Sequence, residues 1–136
     1  IISAQLKDYG EVDNVELIQA TTVNYEKILT ESSLMLTDYS GVQFDFAYMR
    51  KPVVYYHPPK LPPHYVEGGF FYDTQGFGEI CTEHQELVDT LCAYMESGCA
   101  LKTFYRDRQD DFFAFSDHEN CKRIFEDAYA WQKEEK

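Results

Sequence analysis

The stretch "LMLTDYSGVQFDFAYM" (residues 34–49) passes from a short apolar run into Thr-Asp-Tyr-Ser-Gly and then into a second apolar pattern. Leu34–Thr37 has the length of a buried strand. From Gly41 onward Val42, Phe46 and Met49 recur at intervals of three or four, with Phe44 and Ala47 beside them, which predicts a helix. A strand that runs through Asp38, Tyr39, Ser40 and Gly41 straight into a helix is the junction at which open parallel sheets carry ligands. The first turn of such a helix presents unpaired N–H groups and a partial positive charge, and Gly41 allows close approach to the backbone. Ser40 is predicted at the N-cap, where its hydroxyl can serve a phosphate oxygen. Asp38 can bond ribose hydroxyls or hold the loop in shape. Capping alone also accounts for such residues, at about 1 kcal/mol. Asp45, in an otherwise apolar helix, reads as a buried carboxylate that needs a partner.

Working outward, Val15–Gln19 reads as a strand, and Asn24 as the N-cap of a helix that carries Ile28 and Leu29 on one face. Arg50 and Lys51 suit the negative end of the helix after Gly41, and Pro52 closes it. Val53–Tyr56, "VVYY", is continuously apolar, as in a strand covered on both faces. His57–Glu79 carries four prolines and four glycines and reads as a long irregular connection. "EIC" returns to strand, and Thr82–Glu86 reads as a cap and first turn. An amphipathic helix then runs to Ser97–Gly98, followed by a shorter helix and a terminal one with Ile124, Phe125 and Ala128 on one side. The order β-α-β-α-β-loop-β-α-α predicts an α/β, Rossmann-like three-layer domain with a parallel sheet. Residues 1–136 are read as one nucleotide-binding domain, with 1–14 as the tail of an upstream element. The chain opens on Ile1, so it is expected to be a piece of a longer polypeptide.

Twenty-four acidic residues against 12 basic ones leave a formal charge of −12, which repels nucleic acid and anionic lipid at long range. No nucleic acid is therefore expected as a partner. A phosphate-bearing small molecule stays compatible, because helix N-termini bind phosphate whatever the net charge. Cys81, Cys92, Cys99 and Cys121 follow no metal-binding spacing; they read as reduced thiols of a cytoplasmic protein, and no metal is expected.

Three ordered blocks carry more than this. "ESSLMLTDYSGVQFDFAYMRKPVVYY" resembles the glycerophosphotransferase family of teichoic-acid synthesis, whose members read approximately "ADVLITDYSSVMFDFANLDKPMIFY". "YVEGGFFYDTQGFGEI" (65–80) is similar to that family's glycine-aromatic loop, and "FFAFSDHENCKRIFE" (112–126) to its closing segment. The resemblance implies the C-terminal, nucleotide-binding half of a two-domain transferase of the GT-B type, with an N-terminal acceptor domain outside this chain. The implied reaction moves glycerol phosphate from CDP-glycerol to a lipid-linked polymer acceptor at the cytoplasmic face of the membrane. The implied donor-binding residues are Asp38, Ser40, Gly41 and Arg123, supported by Asp45, Asp117 and Asn120. Arg123 would pair bidentately with the diphosphate, or else form a salt bridge to Glu119, Glu126 or Asp127. No cofactor is implied beyond the nucleotide-activated substrate.

Two departures from the family pattern stand out. Gly41 lies where a second Ser is frequent, and Gly68 or Gly69 where Arg is frequent. They leave another CDP-alditol or a nucleotide sugar open as donor. The family's catalytic histidines belong to motifs that His57, His64, His84 and His118 do not match, so no catalytic residue is expected within the chain. His57 and His64 read as loop histidines. Two further readings remain: a nucleotide-sugar GT-B glycosyltransferase of capsule or polysaccharide synthesis, and a non-catalytic α/β interaction module resembling a receiver domain.

Overall fold

The computed structural model describes residues 13–18, 21–60 and 69–134, and the chain divides into two units, residues 1–31 and 32–136. In the first unit the helix α1 spans Tyr25–Glu31. Asn24 starts it as expected, its Oδ1 accepting the Lys27 N–H at 3.0 Å and its carbonyl accepting the Ile28 N–H at 3.1 Å. The strand expected at Val15–Gln19 does not form over its described part. Residues 15–18 are irregular, and Val15, Leu17 and Ile18 are 60, 60 and 45% exposed. A short run becomes a strand only where a sheet edge takes up its N–H and C=O groups. Gln19 and the expected upstream tail, apart from residues 13–14, lie outside the described residues.

The second unit runs β1 (Met35–Thr37), α2 (Val42–Tyr48), β2 (Val53–Tyr56), α3 (Tyr72–Gln75), β3 (Gly78–Cys81), α4 (His84–Glu96), α5 (Thr103–Phe112) and α6 (Asn120–Glu134). The three strands form a parallel sheet in the order β1-β2-β3, with Thr37 beside Tyr55 and Tyr55 beside Ile80. Helices lie on both faces, so the α/β, Rossmann-like class holds. Val54 packs with Cys81, Leu87 and Tyr94 on the α4 side. Val53 and Tyr55 alternate to the other side, where the Tyr55 hydroxyl reaches Gln43 of α2. Covered on both faces, Val53, Val54 and Tyr55 are fully buried, which is why "VVYY" shows no alternation.

Two departures from expectation concern connections. The segment after β2 is not wholly irregular: α3 interrupts it, capped at its far end by Arg108, whose guanidinium donates to the carbonyls of Gly76 (3.0 Å) and Asp73 (2.8 Å). Its residues 61–68, with His64 and Gly68 among them, lie outside the described residues. α2 ends one turn earlier than Arg50–Lys51 suggested. Arg50 takes a left-handed φ of 59°, and the N–H groups of Arg50 and Lys51 turn back to the carbonyls of Ala47 and Phe46.

The three blocks of the family resemblance meet in one aromatic core. Phe44 of α2 packs on Phe70 from the glycine-aromatic loop (5.2 Å between centroids) and on Phe112 from the closing segment (5.5 Å). Phe77 touches Phe70, Phe112 and Phe113. Much of what makes the blocks recognisable is therefore packing, with each ring contact worth about 0.5–1.5 kcal/mol beyond its burial.

Candidate functional site at the carboxyl edge of the sheet

Because β1 and β2 are parallel, the residues that follow them emerge on the same edge. Asp38 follows β1 and His57 follows β2, and the His57 N–H continues the ladder by donating to the Cys81 carbonyl at 2.9 Å. His57 Nε2 lies 3.2 Å from the Asp38 carbonyl oxygen. A carbonyl can only accept, so the imidazole donates, and its neutral form is the Nε2–H tautomer. The ring stacks on Tyr39 at 4.0 Å and 19°. Tyr72 stands edge-on to both rings, 5.5 Å from Tyr39 and 4.9 Å from His57. Burial holds the His57 pKa below its ordinary 6.5, against a weaker opposite pull from the Asp38 carbonyl and charge.

Beneath this edge runs a polar chain that sequence reading did not single out. Gln43, 1% exposed, donates through Nε2 to the Tyr72 hydroxyl (2.9 Å) and accepts the Tyr55 hydroxyl at Oε1 (2.6 Å). The Tyr55 oxygen in turn accepts the Phe77 N–H at 3.1 Å. Burial drives the Tyr55 hydroxyl far above the usual tyrosine range, so it stays protonated as the donor that Gln43 requires. The available signal was a lone amide one residue into an apolar helix. The signal for His57 was its place directly after a strand of a parallel sheet.

The residues proposed from sequence fall into two groups. Asp38, Ser40 and Gly41 stay together at the corner between β1 and α2, with Asp38 and Gly41 exposed and Ser40 half-buried. Gly41, not Ser40, is the N-cap residue of α2; the Ser40 hydroxyl accepts only a long bond, 3.4 Å, from the Val42 N–H. A side chain at Gly41 would meet nothing within 4 Å, so the corner is open at that point. Asp45 is exposed rather than buried, because α2 turns Gln43, Phe46 and Ala47 inward. It needs no buried partner, and its charge in the first turn favours the helix dipole.

Arg123, Asp117 and Asn120 form the second group, at the start of α6. The Arg123 guanidinium pairs with the Asp117 carboxylate, donates to Asn120 Oδ1 at 3.0 Å and lies over the Phe115 ring at 3.8 Å. Asp117 also accepts the Glu119 N–H at 3.1 Å. The Arg123 hydrogen bond, then the Glu119 N–H, holds the Asp117 carboxyl below the usual range. The salt bridge considered for Arg123 thus exists, but with Asp117 rather than with an acid of its own helix. Among the described residues no contact joins this group to the Asp38–Gly41 corner. His118, beside Asp117, meets Tyr48 at the far end of α2, and the rise from Gly41 to Tyr48 is about 10 Å.

Fold and edge together define a Rossmann-like α/β domain whose open corner lies at the carboxyl end of a parallel sheet. Residues 1–129 match the family described as CDP-Glycerol:Poly(glycerophosphate) glycerophosphotransferase, and the chain belongs to that family. It is also 37% identical over 124 residues to the minor teichoic acid biosynthesis protein GgaB of Bacillus subtilis (strain 168). That match covers 91% of this chain and 14% of the relative, so the chain spans about one-seventh of the length of that protein. No solved structure matches the chain significantly. Among the described residues no helix is long and apolar enough to cross a membrane.

Proposed function

We propose that this chain is the donor-nucleotide-binding part of a transferase that moves glycerol phosphate from CDP-glycerol to a teichoic-acid or related cell-surface polymer. The observation that carries the reading is the corner itself. Family membership coincides with a strand-to-helix turn at the carboxyl edge of a parallel sheet, open at Gly41 and bearing Asp38 and Ser40. Ser40 and the N–H groups that follow it grip the diphosphate, while Asp38 takes a ribose hydroxyl. Arg123 joins them only by leaving Asp117, so the grip is assigned first to the corner. The acceptor is lipid-linked, reached at the cytoplasmic face of the membrane by the whole transferase. The second half of a GT-B fold supplies the base for attack on the β-phosphorus.

Calorimetric titration of the chain with CDP-glycerol, CDP and UDP tests this. Heat with the cytidine ligands, lost in Ser40→Ala, is expected; no heat with any nucleotide overturns the assignment. A nucleotide-sugar donor is the second reading, favoured by glycine rather than serine at position 41, and a preference for UDP over CDP would select it.

A further inference from the structure

Among the described residues, His57 ties the ends of separate strands together at this edge. Its backbone N–H is bound to the end of β3 through the Cys81 carbonyl at 2.9 Å. Its ring is bound to the turn after β1 twice, through the Asp38 carbonyl at 3.2 Å and the Tyr39 stack at 4.0 Å. That turn follows a three-residue edge strand, and the Ser40 hydroxyl tethers it only through the long 3.4 Å bond from Val42. Tyr72, held from below by Gln43, closes the arrangement edge-on to both rings.

We propose that His57 is a positioning residue for donor binding: as the Nε2–H tautomer it holds the Asp38–Tyr39 turn so that Ser40 and Gly41 face the diphosphate. This rests on the donor-binding reading above. Its action goes through the turn, and no atom of the donor need touch it. Among the described residues the titratable groups around the ring are the Asp38 carboxylate and the side chains of Tyr39, Tyr55 and Tyr72. His57 is a side chain here whose charge changes between pH 5 and 8. Protonation keeps the Nε2–H bond and adds a cation beside the phosphate site, so donor affinity rises as pH falls.

The test measures CDP-glycerol affinity of the chain from pH 5.5 to 8, because that diphosphate diester does not itself titrate there. The unmodified chain is compared with His57→Gln, which keeps an N–H donor, His57→Phe, which keeps a stacking ring, and Ser40→Ala. Both His57 variants are expected to bind roughly 3- to 10-fold more weakly, the range of one lost hydrogen bond or ring contact, and to lose the rise at low pH. Binding equal to the unmodified chain with the same pH profile overturns the proposal, while loss in Ser40→Ala alone leaves the donor reading standing without it. No binding by the unmodified chain overturns both. Nitrogen NMR shifts of His57 in the unmodified chain give a ligand-free check should a variant fail to fold: an Nε2–H pattern supports the proposal, and an Nδ1–H pattern overturns it.

Discussion

At the Asp38–Gly41 corner the proposed donor grip rests on very few atoms. The Ser40 hydroxyl gains little from its 3.4 Å contact with the Val42 N–H. Ser40→Ala is therefore expected to cost well under about 1 kcal/mol of stability while weakening nucleotide binding; thermal melts beside calorimetry check both. Gly41 has a helical φ of −64° and open space around a side chain. Gly41→Ser should then raise stability by up to about 1 kcal/mol, by restricting the unfolded chain, and would restore a hydroxyl common in the family. Tighter CDP-glycerol binding by that variant is the expected outcome. His57 makes a pH prediction. Its folded-state pKa lies below the unfolded value of 6.5, so above that value the group is neutral in both states and adds no pH dependence. As pH falls through it the unfolded chain takes the proton first, and stability declines until the folded value is passed. Melts from pH 7.5 to 5 should show this decline, smaller in His57→Gln.

Among the elements, β3 and the start of α6 are the most exacting. A Cβ on Gly78 would run into the Val53 carbonyl of β2, so only glycine permits these strands to pair at that point. Gly78→Ala should destabilise by about 1–3 kcal/mol, read as a lowered denaturation midpoint. At α6, Arg123 is committed to Asp117 and Asn120. Arg123→Ala should loosen the start of that helix yet change CDP-glycerol affinity less than twofold. A tenfold loss would instead mean that the guanidinium leaves Asp117 for the phosphate. These cases show what residue type alone leaves open. Asp45 looked buried because its neighbours are apolar, but helical phase places it outward and Gln43 inward. For Arg123 the salt bridge weighed from sequence exists, but its partner, Asp117, lies before the helix rather than along it.

For the whole molecule, the formal charge of −12 means that added salt should strengthen donor binding at low ionic strength, by screening repulsion between the acidic surface and an anionic ligand. Affinities at 20 and 150 mM salt would show it. The match to GgaB covers 14% of that relative's length, and none of the chain's histidines is read as matching the family's catalytic motifs. The chain is therefore expected to bind the donor without turnover. CMP release from CDP-glycerol and an acceptor by this chain alone would contradict that.

The sequence by itself determined the parallel α/β architecture, the family and the corner after β1, because these reside in local periodicity, in residues adjacent along the chain and in the order of three blocks. Tertiary structure alone decided that Val15–Ile18 forms no strand, that Asp45 faces out and that Asp117 occupies Arg123. It also decided that His57 reaches across to Asp38 and Tyr39. Each of these turns on which groups from distant segments end up within about 4 Å, the range over which hydrogen bonds and packing act, and one-dimensional spacing does not encode that.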